Sequence, residues 1–308
     1  MIKLKVAICV AICISPIIYG QSGKPIPYKD YITSELTIRK NLYYASNIPG
    51  ETRKKYYRFD IYYAAKDSST KRPLIIWMHG GGFKFGSKKA KGIRLWSKSF
   101  ARRGYVCVAI NYRLSKKNPL RNFTSLVQGC YEAVQDVTQA ITFFKANEAS
   151  FGIDTNLIIL AGNSAGAIIA LQTVYSSYSD LTKLIDSGYE SPPATDHNSS
   201  NIKAVINFWG AIFNTAWLKN ANVPIVSVHG KKDRIVPYDH KGSPLYGSFA
   251  IHQKADSLKI PNRVKTYDRY GHELQKHFIP ILRSAATKRR WLTAGSFAAD
   301  FLYNELMQ

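Results

Sequence analysis

The chain has 308 residues, of which 45% are hydrophobic and 20% are charged. This is the composition of an ordinary globular protein, and it excludes a disordered chain, a collagen-like repeat and a coiled coil. Lysine and arginine number 43 against 20 aspartates and glutamates, so the formal net charge is +23. Such an excess influences solubility and the choice of partners, and it carries no information about the fold.

The N-terminal segment has the pattern of a secretory signal peptide. Lys3 and Lys5 precede an apolar run at residues 6–18, and a charged start before a short hydrophobic stretch is typical of such a leader. The run is shorter than the roughly 20 apolar residues that a membrane span needs. We therefore expect residues 1–20 to be a signal peptide and the protein to be exported, to a periplasm or out of the cell. Residues 21–308 are then expected to form a single domain without a membrane span.

The first part of the expected domain, residues 28–65, is rich in Tyr, Ile and Thr, with a turn at residues 47–52. This pattern predicts antiparallel strands at one edge of a sheet.

The rest of the chain alternates short apolar runs with helical stretches. Runs without polar alternation are typical of strands buried on both faces of a parallel sheet. The alternation predicts an α/β protein with a doubly wound, mostly parallel sheet. The predicted strands are residues 74–78, 106–110, 157–161, 204–208, 224–228 and 263–267, and the clearest helices are 93–103, 130–147 and 164–175.

One long polar segment interrupts this alternation at residues 176–201 and contains Pro192 and Pro193. A loop of that length in a single domain is usually functional or mobile. We interpret it as a small lid or a pocket wall.

Two cysteines remain after the expected leader, Cys107 and Cys130. The favoured interpretation is that both are buried as small hydrophobic side chains, although an exported chain would also allow them to form a disulfide. No spacing of cysteine and histidine resembles a metal site. We expect neither a metal nor a cofactor.

A nucleophile motif, Gly-Asn-Ser-Ala-Gly at residues 162–166, directly follows a predicted strand and opens a predicted helix. The glycines allow a sharp turn and a close passage of the helix along the strand, which leaves the Ser164 hydroxyl exposed at the end of the sheet. Ser164 is therefore the predicted nucleophile.

A glycine loop, His-Gly-Gly-Gly-Phe at residues 79–83, follows another predicted strand. Consecutive glycines let backbone N–H groups point at one place, where they can hold the oxygen anion formed during acyl transfer. Gly81 and Gly82 are the predicted donors, with the N–H of Ala165 as a third. His79 is expected to shape this loop, since a base would have to reach the nucleophile.

The predicted acid and base are Asp233 and His272. A serine hydroxyl needs an imidazole to take its proton and a carboxylate to orient that imidazole. Both residues follow strands whose carboxyl ends meet near Ser164, and Ser, Asp, His is a known order of such triads along a chain.

Other residues compete for these two roles. His277 lacks the preceding strand and glycine of His272, and Asp256 and Asp268 are the rival acids. His229 is interpreted as a turn residue that supports Asp233, and His252 as a surface residue of a helix.

These motifs resemble the α/β-hydrolase serine esterases and lipases that carry an HGGG oxyanion motif. Within them the chain is similar to compact bacterial carboxylesterases of the acetylxylan and feruloyl esterase-like group. The resemblance extends from about Tyr57 to the C-terminus. Ala167, where relatives often carry another glycine, and the Thr-Asn-Leu at residues 155–157 depart from the subgroup pattern without touching the triad.

The resemblance implies a serine carboxylic-ester hydrolase that works through an acyl-enzyme on a small ester or an acylated carbohydrate. A peptidase of this fold usually carries a large extra domain, and a large-pocket lipase would have an extended hydrophobic lid. A non-catalytic binding protein would commonly lack a triad member. Aromatic side chains near strand ends could line an acyl pocket, with core packing as the alternative: Phe83, Phe85, Trp209, Phe213, Trp217 and Tyr238.

The basic residues occur as scattered pairs and do not form a stripe interleaved with aromatic residues. We therefore expect no nucleic-acid partner. An anionic polysaccharide or an anionic surface is the specific hypothesis, and a solvated surface without a dedicated partner is the favoured alternative. The pairs are at residues 88–89, 102–103, 116–117 and 231–232, with a triplet at 288–290.

Overall fold

The computed structural model describes residues 24–45, 54–185, 201–240, 242–279 and 284–308. The expected signal peptide and the turn predicted at residues 47–52 lie outside these ranges. In chain order, the elements are β1 (Leu36–Tyr43), a 3₁₀ turn (Lys54–Tyr57), β2 (Arg58–Ala64), β3 (Arg72–Met78), α1 (Lys91–Ala101), β4 (Val106–Ile110), α2 (Phe123–Ala146), α3 (Glu148–Phe151), β5 (Ile153–Asn163), α4 (Ala165–Tyr175), α5 (Tyr178–Thr182), β6 (Ile202–Phe208), a 3₁₀ turn (Thr215–Asn220), β7 (Ile225–Gly230), α6 (Ser248–Ser257), β8 (Asn262–Tyr267), a 3₁₀ turn (His272–Leu274) and α7 (Ala285–Leu306).

The strands among the described residues form one sheet in the order β1-β2-β4-β3-β5-β6-β7-β8. β1 and β2 pair antiparallel, and so do β2 and β4, whereas every pair from β4 through β8 is parallel. The mostly parallel α/β fold with antiparallel strands at its N-terminal edge is therefore confirmed.

The central strands are apolar because helices cover both of their faces. All seven residues of β3 are buried, and Trp77 lies between Ala109 on β4 and Ala161 on β5. Successive side chains of a strand point to opposite faces, so Ile76 belongs to one hydrophobic cluster and Trp77 to the other. α2, α4 and α6 contribute to the first cluster, while α1 and α7 contribute to the second.

The two cysteines lie on opposite sides of this sheet. Cys107 belongs to the cluster under α1 and α7, and Cys130 to the cluster under α2 and α4. Both thiols are buried and free, and burial raises the pKa of each above its usual value. The disulfide alternative is therefore wrong, and both cysteines pack as small hydrophobic residues.

Helix α2 begins at Phe123, about two turns before the predicted start at residue 130. The side chain of Asn122 caps it by accepting a hydrogen bond from the Ser125 N–H at 2.7 Å. Such a cap satisfies one of the four free N–H groups of a helix start.

The described part of the predicted lid, residues 176–185, contains α5. Its Tyr178 ring meets Tyr131 of α2 edge to face, with centroids 5.4 Å apart. This first part of the segment therefore packs on α2, and the remainder of the predicted lid lies outside the described residues.

Part of the basic excess is structural. Lys88 is 2% exposed, and its Nζ bonds to the carboxylate of Asp60 and to Asn41 Oδ1. Burial lowers the pKa of Lys88 in spite of that carboxylate. Arg103 is 6% exposed and donates to the Ser99 carbonyl at 2.9 Å. The interpretation of all basic pairs as solvated is wrong for these two residues.

Among the described residues, no helix is long and apolar enough to cross a membrane.

The nucleophile motif depends on a very close approach of α4 to the sheet. A Cβ atom at Gly166 would lie 2.1 Å from the carbonyl oxygen of Met78, and one at Gly162 would lie 2.3 Å from the Gly166 backbone. Backbone cannot move away as a flexible side chain could, so both positions require glycine.

We expect Gly166→Ala to lower the free energy of unfolding by at least about 2 kcal/mol, because overpacking against backbone forces α4 away from the sheet. Gly242→Ala is the control, since a Cβ there meets nothing within 4 Å and only its positive φ of 75° adds strain. Urea denaturation measures both variants. Equal losses in the two variants would contradict the steric explanation.

Candidate active site

Ser164 occupies the turn between β5 and α4, as the N-cap residue of the helix. Its φ of 53° and ψ of −123° lie outside the regions that non-glycine residues favour, a conformation that costs about 1–3 kcal/mol. The Ser164 N–H donates to the Phe208 carbonyl at 2.9 Å, which ties the turn to the end of β6. The side chain is thereby held at the carboxyl edge of the sheet.

His272 and Asp233 lie beside Ser164, although 108 residues separate Ser164 from His272 in the sequence. The His272 Nε2 is 3.0 Å from Ser164 Oγ, and its Nδ1 is 2.7 Å from Asp233 Oδ2. All three residues are buried, at 7%, 4% and 7% exposure for Ser164, His272 and Asp233. In the tautomer that this arrangement favours, Nδ1–H donates to the carboxylate and Nε2 accepts from the hydroxyl.

The Asp233 carboxylate is held in its ionised form. Oδ1 accepts from the N–H groups of Ile235 at 2.9 Å and Val236 at 3.0 Å, while His229 Nε2 approaches Oδ2 at 3.4 Å. Burial by itself would raise the pKa of Asp233, but the hydrogen bonds from His229 and His272 outweigh it and hold this pKa well below its usual value. The group can therefore support a positive charge on His272.

A fully buried polar network stands behind the carboxylate. His229 Nε2 also lies 3.1 Å from the Val236 carbonyl, and its Nδ1 is 2.8 Å from Ser248 Oγ. Asn207 Nδ2 reaches Ser248 Oγ at 3.3 Å and Ser227 Oγ at 2.9 Å. With a carbonyl beside Nε2, the network favours a proton on that nitrogen, directed toward Asp233 and Val236. The sequence predicted His229 as a support for Asp233, but its assignment to a turn is wrong, because His229 lies within β7 and pairs with Thr266 of β8. Asn207 and Ser248 carried no signal in the sequence.

The loop that carries His272 is fixed from α7. Glu273 and Leu274, the next two residues, have φ values of 55° and 56°. Trp291 Nε1 donates to the Glu273 carbonyl and Arg290 Nε to the Leu274 carbonyl, each at 2.8 Å. These bonds hold a strained backbone in the position that directs His272 at Ser164.

The glycine loop after β3 places free N–H groups near Ser164. Gly81 and Gly82 have φ values of 122° and 58°, and the N–H of neither bonds to any described residue. The N–H of Gly80, by contrast, is taken by Asn163 Oδ1 at 3.2 Å. Ala165 is the first residue of α4, so its N–H has no partner within the helix. The predicted oxyanion donors are therefore the groups left unpaired here.

His79 lies under this loop and away from the base position. It is 1% exposed, its ring stacks on Tyr112 with centroids 4.3 Å apart, and its Nδ1 bonds to the Gly80 carbonyl at 2.8 Å. A Cβ at Gly86 would lie 2.5 Å from that Nδ1. Burial lowers the pKa of His79 to about 4, so the ring is neutral at pH 7 and shapes the loop.

The prediction that Phe83 and Trp209 line a pocket is wrong. Phe83 and Trp209 have 0% exposure, because Phe83 packs in the cluster under α2 and α4 and Trp209 packs against Trp96 and Trp291. Phe213 and Trp217 keep only 4% and 9% exposure, and their role in a pocket stays a prediction.

Other apolar side chains are more accessible near the glycine loop. Phe85 is 61% exposed and Leu120 is 57% exposed. A Cβ at Gly82 would lie 2.2 Å from Leu120 Cδ2, so Leu120 covers the oxyanion loop directly. Sequence reasoning missed Leu120 because it lies in an irregular segment with no motif. Tyr238 is half-buried and packs edge to face on His229 at 5.6 Å.

The rival titratable groups lie elsewhere. Asp256 accepts from Asn262 Nδ2 at 2.8 Å, and Asp268 pairs with Lys231 at 2.9 Å on the surface. His277 is exposed. His252 is 5% exposed and bonds to Asn262 Oδ1 at 2.6 Å, so its placement on the surface is wrong: α6 turns this side chain inward.

Among the described residues, no three His, Cys, Asp or Glu side chains are grouped as metal ligands would be.

Comparison with known families agrees with this geometry. A family model described as BD-FAE matches residues 59–222, more than half of the chain. Gut esterase 1 of Caenorhabditis elegans is 36% identical over 108 residues, which cover 35% of this chain and 19% of that protein. Esterase LipC of Mycobacterium tuberculosis is 34% identical over 102 residues, which cover 33% of this chain and 23% of that protein. The chain thus matches only about a fifth of the length of these curated relatives.

Solved structures share the fold. Thermogutta terrifontis esterase 2 phosphorylated by paraoxon superimposes with a TM-score of 0.59 at 19% identity, over 87% of this chain and 94% of that one. A truncated carbohydrate esterase from gut microbiota gives a TM-score of 0.55 at 16% identity, over 85% and 96%. The α/β-hydrolase fold is therefore confirmed, together with the resemblance to esterases.

The low pKa of His79 makes stability depend on pH. Folded His79 takes up a proton only near pH 4, whereas the unfolded residue does so near pH 6.5. The unfolded state therefore binds more protons between these values, and stability falls as the pH falls through that window, by up to about 3 kcal/mol. We expect His79→Asn to lack this contribution. Urea denaturation of both proteins at pH 7 and pH 4.5 tests this, and parallel losses would contradict it.

Proposed function

Because the chain belongs to the BD-FAE family, we propose that it is an exported serine carboxylic-ester hydrolase that works through an acyl-enzyme. The observation that carries this proposal is the hydrogen-bonded chain from Ser164 through His272 to Asp233. Esterases among its relatives and structural neighbours support the same activity.

In the first half of the reaction, Ser164 Oγ attacks the ester carbonyl carbon while His272 Nε2 takes the hydroxyl proton. Asp233 stabilises the imidazolium that forms and keeps its Nδ1–H directed at the carboxylate. The carbonyl oxygen becomes an anion that the N–H groups of Gly81, Gly82 and Ala165 can hold. The bond to the alcohol oxygen then breaks, and His272 gives its proton to the leaving alcohol.

In the second half, water replaces the alcohol. His272 takes a proton from the water, whose oxygen attacks the acyl carbon, and the bond to Ser164 Oγ breaks as His272 returns the proton to it. The products are a carboxylic acid and the free enzyme. The protein groups that take part in this cycle are Ser164, His272, Asp233 and the oxyanion donors.

The substrate is proposed to be a short-chain or carbohydrate-linked ester. Phe83 and Trp209 are buried in the core and leave no aromatic acyl tunnel at those positions, while the apolar surface of Leu120 lies beside the oxyanion loop. A short acyl group needs no larger apolar surface than this. A carbohydrate esterase among the structural neighbours is consistent with a sugar alcohol.

Export is proposed on the charged and apolar pattern of residues 1–20. N-terminal sequencing of protein recovered outside the cytoplasm tests it, with cleavage expected before Gln21.

We expect Ser164→Ala to lower the rate of ester hydrolysis by about 10⁴-fold or more, because the nucleophile is lost. Asp233→Asn and His272→Ala should also be severely impaired. Asp256→Asn is the matched control for Asp233→Asn and should retain the wild-type rate. A fluorophosphonate label located by mass spectrometry identifies the nucleophile directly, and an adduct on another serine would refute the assignment.

We expect kcat/KM on p-nitrophenyl esters to decline at acyl chains longer than butyrate, since Phe83 and Trp209 are buried in the core and offer no surface to a longer acyl chain. Steady-state kinetics from acetate to palmitate measure this. A maximum at decanoate or beyond would favour the lipase alternative, and cleavage of peptide amides at rates similar to esters would favour the peptidase.

A further inference from the structure

A cavity of about 840 Å³ borders the catalytic histidine. This volume lies within the range of about 300–1,000 Å³ that is usual for small-ligand sites. Its wall is formed by the loops that follow β7 and β8, which also carry Asp233 and His272. The lining residues are Lys232, Arg234, Ile235, Arg269, Gly271, His272, Lys276, His277 and Phe278.

The charge of this wall is uniformly positive. Lys232, Arg234, Arg269 and Lys276 are all exposed, and none forms a salt bridge with a described residue. No aspartate or glutamate is among the described lining residues. Unpaired cations around one concave surface raise the local concentration of anions.

Nearby carboxylates do not neutralise these cations. Asp233 has no exposed side-chain surface and is paired with His272. Asp268 is paired with Lys231, which is outside the lining. Glu273, the residue after His272, accepts a hydrogen bond from Gln275 Nε2 at 3.3 Å. Asp239 adjoins Lys232 and Arg234 in a neighbouring cavity and forms no salt bridge with a described residue. The four cations of the wall are therefore available to a ligand.

The part of the cavity next to His272 is apolar. The Phe278 ring meets the His272 ring edge to face, with centroids 5.0 Å apart, and Ile235 is 54% exposed. The cavity thus combines a small apolar surface beside the base with a rim of cations. A sugar ring that carries carboxylates has this distribution of apolar faces and negative charge.

We propose that this cavity binds the alcohol part of the substrate, and that this alcohol is an acidic carbohydrate carrying carboxylate groups. The inference rests on the proposed function, because His272 gives its proton to the leaving alcohol and the alcohol must therefore lie next to it. In this proposal the cations strengthen substrate binding, and the triad carries out the bond-breaking steps.

A second basic cavity provides the matched control. It has a volume of about 660 Å³, lies between α1 and α7, and includes Lys91, Arg94, Lys98 and Lys288. None of its described lining residues belongs to the triad or the oxyanion loop. Removing charge there changes the overall field of the protein without changing the cavity at His272.

The experiment compares Lys232→Gln/Lys276→Gln with Lys91→Gln/Lys98→Gln. Each double variant loses two exposed lysines from a basic cavity, so the net charge is equal. The substrates are acetylated trigalacturonate, which is anionic, and acetylated xylotriose, which is neutral and of the same length. Acetate release is measured at 20 mM and 150 mM NaCl.

We expect the first variant to lower kcat/KM for the galacturonate about fivefold at low salt, mainly by raising KM, since two exposed ion pairs with the substrate are lost. Its kcat/KM ratio of anionic to neutral substrate should fall accordingly. The Lys91→Gln/Lys98→Gln variant should stay within twofold of wild type on both substrates. Higher salt should shrink the wild-type preference for the galacturonate, because the Debye length falls to about 8 Å at 0.15 M.

Three results would overturn the inference. Equal losses in the two variants would assign the effect to the overall field. Equal losses on both substrates in the first variant would assign it to distortion of the His272 loop. A wild type without preference for the galacturonate at low salt would show that the cavity does not select anionic alcohols. Failure of the proposed function is distinct, since the wild type would then release acetate from neither substrate.

Discussion

The contact between α4 and the sheet is the constraint on which the site depends. Gly162 and Gly166 have no side chains, and this lets the first turn of α4 pass against the backbone of β3 at Met78. The chain must then leave β5 through a left-handed residue, which is Ser164. Because β3, β5, β7 and β8 are parallel, their carboxyl ends meet at one edge, and the oxyanion loop, Asp233 and His272 arrive beside this serine.

Several loops at the carboxyl edge of the sheet contain residues with strained backbone conformations. Positive φ values occur at Ser164, at Phe83 in the oxyanion loop, and at Glu273 and Leu274 beside His272. Trp209, which also has a positive φ, follows Phe208, whose carbonyl accepts from the Ser164 N–H. Backbone in such conformations persists only where the surroundings determine it. Here the surroundings are buried side chains and cross-loop hydrogen bonds, among them the bonds from α7 to the His272 loop. Through Trp291, the aromatic cluster under α1 and α7 therefore holds the loop that carries His272.

The basic residues of the molecule differ in burial and in their charge partners, and so have different roles. Lys88 and Arg103 are buried structural groups, and Lys231 is paired with Asp268 on the surface. Others surround two cavities without carboxylate partners among the described residues. Asp233 remains ionised within this positive surface because buried donors, chiefly His229 and His272, hold it.

Local sequence patterns predicted strands β3 to β8, helices α1, α2 and α4, the mostly parallel sheet, and the meeting of Ser164, Asp233 and His272 at one edge of that sheet. An uninterrupted apolar run indicates a strand that is buried on both faces, and the spacing of glycines indicates where two backbone segments approach closely. Both patterns extend over only a few consecutive residues and can therefore be recognised in the sequence. Tertiary packing alone decided that Phe83, Trp209 and His252 point inward, that Cys107 and Cys130 lie on opposite faces, and that Asn207 and Ser248 support His229. These outcomes depend on which side chains, distant in the sequence, pack against one another. The local spacing of residues along the chain does not contain this information. The basic cavity beside His272 was likewise not readable from the sequence, because residues from the loops after β7 and β8 form it together.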